Sequence, residues 1–151
     1  MKRRVGLRRR SLARSGLSRE DRDELRDLAR QVCFIRANCA RVEVGNSVMW
    51  YGRCEHCRKS AYLQWSHVEP QGRCPHLRYD PDNYYALCWF CHFQWWHKGG
   101  SEVEAWIRQH IGDAARDRLA LRARTRGHRV DYTATRMLLT MMIRDMTKGA
   151  K

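Results

Sequence analysis

Cys54-Glu55-His56-Cys57 is answered by Cys88-Trp89-Phe90-Cys91, with thirty residues between the two pairs and His92 directly after the second. A Cys-x-x-Cys turn sets two thiolates on one side of a metal ion, and two such turns complete the tetrahedron that zinc prefers. A dithiol redox site needs only one pair, so the doubled spacing argues for structural zinc held by Cys54, Cys57, Cys88 and Cys91. The spacer is longer than a plain zinc ribbon requires. Something is therefore inserted between the two knuckles, and the zinc pins its ends.

The insert holds residues suited to chemistry. Ala61 to His67 alternates and is rich in aromatic residues, which predicts a strand. Pro70, Gly72, Pro75 and Pro81 punctuate a loop, Tyr84 to Leu87 leads into the second pair, and a helix is expected from there to about Lys98, ended by Gly99-Gly100. His67 ends the strand, Asn83 follows the turn Asp80-Pro81-Asp82, and His92 opens the helix. Phosphodiester hydrolysis needs a base for water and a cation for the charge on phosphate and leaving oxygen. A histidine serves as the base near neutral pH. His67 is placed for that role. His97 lies five residues past His92, about 140° round an ideal helix, and comes round to its face only if Gly99 frays the helix end.

With His67 and Asn83 between the paired cysteines and His92 directly after them, the chain resembles the HNH nucleases, whose ββα-metal finger carries such a triad. Trp65-Ser66-His67-Val68-Glu69-Pro70, Leu77-Arg78-Tyr79-Asp80-Pro81-Asp82-Asn83 and Leu87-Cys88-Trp89-Phe90-Cys91 are most similar to the central motifs of the phage NinG (Rap) recombination proteins. The likeness covers about residues 20 to 145 and is specific in the middle. It implies an α+β fold: a small zinc-stabilised ββα-metal finger core at about 48–100, flanked by N-terminal and C-terminal helices. It also implies a structure-selective DNA endonuclease cutting branched recombination intermediates such as four-way (Holliday) junctions. By this resemblance His67 matches the general base, Asn83 the residue that fixes the loop or positions base or metal, and His92 the ligand of a divalent cation, Mg²⁺ or Mn²⁺, which His97 would join if the helix end brought it round. Many HNH enzymes carry Asp before the base, where this chain has Ser66. That departure keeps two alternatives open: a noncatalytic zinc module that binds nucleic acid, and an HNH nuclease with another DNA or RNA substrate.

The charge fits a polyanionic partner. Lys and Arg number 30 against 16 Asp and Glu, a formal net charge of +14. Met1 to Leu17 holds basic residues and no acid, which predicts a disordered arm gripping phosphates through Arg3, Arg4, Arg8, Arg9 and Arg10. Arg73 and Arg78, in the loop between base and Asn, are the best-placed internal phosphate contacts. The rest, 18–148, reads as a single nuclease domain. Ser18 is expected to cap a helix from about Arg19 to Ala37, with Leu25, Leu28, Val32 and Ile35 on its apolar face. Val42 to Tyr51 is expected to be a loop leading into a short strand. Beyond Gly100, Ser101-Glu102-Val103-Glu104 reads as a capping box, a further helix runs from about Asp113 to Arg126 until Gly127, and Thr133 caps a last helix through Met137, Leu138, Met141, Met142 and Met146. Cys33 is read as core, and Cys74 with His76 as loop packing rather than a metal pair. Most of the aromatic residues in 89–96 are expected in the core. Symmetric junction cutting takes two active sites, so a homodimer is expected. No apolar run reaches a membrane span and the basic N-terminus has no signal-peptide core, so the expected place is the cytoplasm, that of a bacterial host if phage-encoded, or the nucleoid.

Overall fold

Residues 16–125 and 128–149 are described by the computed structural model. The arginines at positions 3, 4, 8, 9 and 10 and the stop at Gly127 lie outside the described residues. Leu17 already packs against the core.

Helix α1, Arg19–Arg36, starts as its sequence dictates. The Ser18 hydroxyl accepts from the Asp21 N–H at 3.0 Å, and the Asp21 carboxylate accepts from the Ser18 N–H at 3.1 Å. This reciprocal capping satisfies two otherwise orphaned donors. Leu25, Ala29, Val32, Cys33 and Phe34 are buried, and Phe34 stacks on Trp50 with centroids 5.2 Å apart. The buried stripe runs 25, 29, 32, 33, which leaves Leu28 and Ile35 at its edge.

Where a loop leading into a short strand is expected at 42–51, the strand is present and the loop before it is a strand as well, so the two form a hairpin. Strands β1, Ala40–Val44, and β2, Ser47–Arg53, are joined by the two residues Gly45-Asn46. Gly45 has φ +59, the left-handed conformation that a Gly-first hairpin turn requires. Gly52 is small for another reason: a Cβ there would lie 2.7 Å from Cys39 Sγ. Strand β3, Ser60–His67, pairs with β2 and with β4, Tyr84–Cys88, in one antiparallel sheet ordered β1-β2-β3-β4. Strand β4 is buried along its length. Helix α1 packs against it, and Tyr85 meets Trp96 and Trp106 edge-on at 5.8 and 4.9 Å.

After β4 the chain turns helical over residues 89–98, and its geometry is irregular. Cys91–Trp95 is π-helical and Trp96–Lys98 is a 3₁₀ turn, ended by Gly99 and Gly100 at φ +64 and +102. Helices α2, Ser101–Ile111, α3, Asp113–Arg124, and α4, Tyr132–Lys148, complete the fold.

Two caps differ from expectation. Gly100 occupies the α2 cap, so Ser101 is already helical and no capping box forms; Glu104 is engaged by Arg108 and Arg116. Asp131, not Thr133, caps α4 by accepting from the Ala134 N–H at 2.9 Å. The stripe of α4 that faces the core is Leu139, Met142, Ile143 and Met146, while Met137, Leu138 and Met141 point outward. α4 packs on α1, with Tyr132 and Arg136 both hydrogen-bonded to Glu24. No helix among the described residues is long and apolar enough to cross a membrane.

Candidate functional site

The two knuckles converge. Ligand atoms of Cys54, Cys57, Cys88 and Cys91 all lie within 4.8 Å of one another, a set able to hold a structural metal such as zinc. With Zn–S near 2.3 Å, a tetrahedral site has sulfurs about 3.8 Å apart, and Cys57 Sγ lies 3.8 Å from Cys88 Sγ. Main-chain N–H groups of Cys88 and Cys91 donate to the sulfurs of Cys54 and Cys88. The His56 Nδ1 lies 3.2 Å from Cys91 Sγ, and its ring stacks on Trp95 at 3.5 Å. Burial pushes the Cys54 and Cys91 thiols up, so four thiolates gathered here need a cation to offset their charge.

The loop between β3 and β4 is organised around Asn83. This side chain is fully buried. Its Oδ1 accepts from the Glu69 N–H at 2.7 Å, and its Nδ2 donates to the carbonyls of Leu77 at 2.8 Å and Glu69 at 3.3 Å. Asn83 therefore fixes the loop, with both its oxygen and its nitrogen engaged by main-chain groups. Arg122 of α3 braces the same loop from outside through Asp80 and Asp82, each at 3.0 Å.

His67 stands where the loop leaves β3. Its Nε2 donates to the Arg78 carbonyl at 3.0 Å, which fixes the tautomer, and its Nδ1 accepts from the Gln71 amide at 2.9 Å. Burial, ahead of the charges of Arg78 and His92, pushes its pKa down to about 4. The ring is thus neutral at pH 7, with a lone pair on Nδ1. Trp65, Tyr84 and Arg78, its neighbours, each carry a buried polar atom without a protein partner. Buried polar atoms of this kind call for water or a ligand oxygen as partner.

His67 lines a cleft of about 330 Å³ together with Arg73, Trp96, His97, Glu104 and Arg116. Trp96 ties its walls, since Nε1 donates to the His67 carbonyl at 2.8 Å. Arg116 is held by Glu104 at 3.1 Å and by Glu69 at 3.0 Å, which anchors the loop to α2 and α3. Arg73 is exposed in this cleft, whereas Arg78 is half-buried with its Nε unpartnered.

His92 and His97 do meet, and not through fraying. In the π-helical stretch the Trp96 N–H bonds to the carbonyl of Cys91, five residues back, as well as to that of His92. A π turn brings residues five apart onto one face, and the two rings sit 4.3 Å apart. His92 Nδ1 donates to Gln64 Oε1 at 2.6 Å, which leaves its Nε2 for a ligand. Burial, then the charge of His97, lowers its pKa to about 4. Of the two roles expected for Asn83, its hydrogen bonds place it in the first, fixing the loop. Among the described residues the four cysteines are the only cluster of three or more potential metal ligands.

Sequence reading missed Gln64, Gln71, Glu69 and Arg116. Gln64 and Gln71 act through contacts made only after folding, whereas the ion pairs of Arg116 span forty-seven and twelve residues. The expected core placement of Trp89, Phe90 and Phe93 is also wrong, since all three are exposed. Cys74 is buried and His76 bonds to the Arg122 carbonyl, as loop packing requires. A larger hollow, about 760 Å³, lies between residues 76–82 and α4 and contains none of the expected site residues.

The molecule is thus a mixed α+β protein in which a four-cysteine centre sits beside a histidine-lined cleft. No protein-family model, curated protein or solved structure matches the chain.

Proposed function

We propose that the protein is a metal-dependent endonuclease of the HNH type, related to the NinG (Rap) proteins, that hydrolyses phosphodiester bonds in branched DNA such as four-way junctions. The observation that carries this reading is the state of His67: neutral, tautomer-fixed, and in the wall of a cleft that also holds an exposed arginine. Strand β3, the loop, β4 and the helical turn follow one another in the ββα order that the resemblance implies.

In this reading Nδ1 of His67 takes a proton from a water once Gln71 gives way. Arg73 receives a phosphate oxygen. The phosphate's negative charge favours the imidazolium form, which raises the His67 pKa toward the neutral range where a base is effective. A divalent cation, when bound, neutralises charge on the phosphate and the leaving oxygen. His92 and His97 would hold it, with Gln64 orienting His92. Two nitrogens leave the remaining coordination to phosphate and water oxygens. Two copies would cut a junction symmetrically, and the outward Met137, Leu138 and Met141 of α4 offer an apolar face for a dimer.

One observation favours a noncatalytic nucleic-acid-binding zinc module. Ser66, where many HNH enzymes have Asp, is buried and donates to the Gln64 carbonyl at 3.3 Å. A panel of linear, nicked, flapped and four-way DNA, each with added Mg²⁺ or Mn²⁺, decides between them. Scission of branched substrates supports the nuclease; salt-sensitive binding without scission of any substrate supports the module.

A further inference from the structure

The sheet face opposite α1 is open at its hairpin end and carries aromatic rings. Trp50, on one face of β2, packs against α1. Tyr51 therefore points to the other face, where it meets Tyr62 of β3 edge-on at 5.4 Å. Two residues along β3 on this same face is Gln64, whose amide holds His92 at 2.6 Å. His92 lies 4.7 Å from Phe93, and Phe93 lies 5.5 Å from Trp89 and 5.1 Å from His97. His97 lines the His67 cleft. A ridge of rings thus leads from the hairpin to that cleft.

These rings face solvent: Tyr51 is 44 % exposed, Tyr62 45 %, Trp89 57 % and Phe93 40 %. By strand alternation the charged residue that shares the face is Arg53, and Glu43 belongs to the other side, where it faces Val48. Arg58, Lys59 and Lys98, all exposed, flank the ridge in sequence. A second copy of a +14 chain would bring like charge against this rim, whereas a nucleic-acid strand brings phosphates. A fully paired duplex hides its bases. Aromatic rings next to cations take unpaired bases, because every base has a π face and its backbone an anionic charge.

We infer that this ridge binds an unpaired DNA strand, its bases stacked on Tyr51, Tyr62, Phe93 and Trp89, and guides it toward the His67 cleft. The inference rests on the nucleic-acid reading above and narrows its substrate class to branched DNA with unpaired bases beside the branch point.

The test is binding by full-length, zinc-loaded protein without added Mg²⁺ or Mn²⁺, so that scission plays no part. Anisotropy is measured with three labelled probes: a single-stranded oligonucleotide, a fork with a single-stranded arm, and a blunt duplex. Tyr62→Ala and Phe93→Ala, both outside the knuckles, are compared with wild type after zinc content and unfolding temperature are matched. Each is expected to weaken single-strand and fork binding about tenfold and to leave duplex binding unchanged. Intrinsic tryptophan fluorescence should be quenched by the single strand and not by the duplex. Wild-type affinity for the single strand in both variants would overturn the inference, as would an equal loss on all three probes. Absence of cleavage in the separate substrate panel would sink the nuclease reading and leave this contrast in binding standing.

Discussion

His67 Nε2 donates to the main-chain carbonyl of Arg78 at 3.0 Å, so the end of β3 and the far limb of the loop hold one another in place. Because that bond consumes the proton on Nε2, the basic lone pair sits on Nδ1, capped by Gln71. This arrangement has a consequence for stability. In the unfolded chain His67 titrates near 6.5, and in the fold near 4. Between those values the unfolded chain binds a proton that the folded one refuses, so stability falls as pH drops from about 6.5 toward 4. The loss approaches roughly 3 kcal/mol for this residue. Urea unfolding at pH 7.5, 6 and 5 should show a shallower decline for His67→Gln than for wild type.

The four-cysteine centre should bind one zinc per chain. Elemental analysis of protein purified without added metal checks this. Cys88→Ser or a strong chelator should lower the unfolding temperature sharply, because the bound metal ties β4 to the loop before β3 and its binding energy is folding energy. Retention of the wild-type unfolding temperature after complete metal removal would contradict a structural role.

Asn83→Ala should destabilise the protein by about 3 kcal/mol. The change removes three hydrogen bonds from a fully buried side chain and leaves the Glu69 N–H without its acceptor, while the Leu77 carbonyl keeps only the Asp80 N–H at 3.2 Å. Asn83→Asp should fare no better, since a carboxylate cannot donate to the two carbonyls. Denaturant midpoints measure both.

Arg116→Met should also cost about 3 kcal/mol, because it strands Glu69, a mostly buried carboxylate, beside the cleft. The double variant Arg116→Met with Glu69→Gln should recover part of the loss. A thermal-melt double-mutant cycle reads the coupling.

Much of this was legible in local sequence. The Ser18 and Asp21 cap, the strand ending at His67 and the two knuckles depend on residues a few positions apart, and they appear where the spacing places them. The hairpin was legible too, in Gly45-Asn46, but its short β-branched strands read as loop. What sequence could not give depends on packing. An ideal helix puts His97 away from His92; the π turn that joins them forms where Trp96 is anchored to the His67 carbonyl. Asn83 reads as a polar site residue, and only the path of the loop reveals that its amide is fully engaged. Trp89 and Phe93 read as core because rings usually are, yet α2 supplies Trp106 to cover Trp96 and leaves those two open.

The most direct test of the central claim is single-turnover cleavage of a labelled four-way junction by zinc-loaded wild type and by His67→Ala, with Mg²⁺ or Mn²⁺ added and junction binding measured in parallel. The account predicts that wild type cuts, and that His67→Ala binds equally, keeps its zinc and cuts at least about 100-fold more slowly. Equal cutting rates for the two proteins, or a wild type that binds the junction and leaves it intact with either metal, would contradict it.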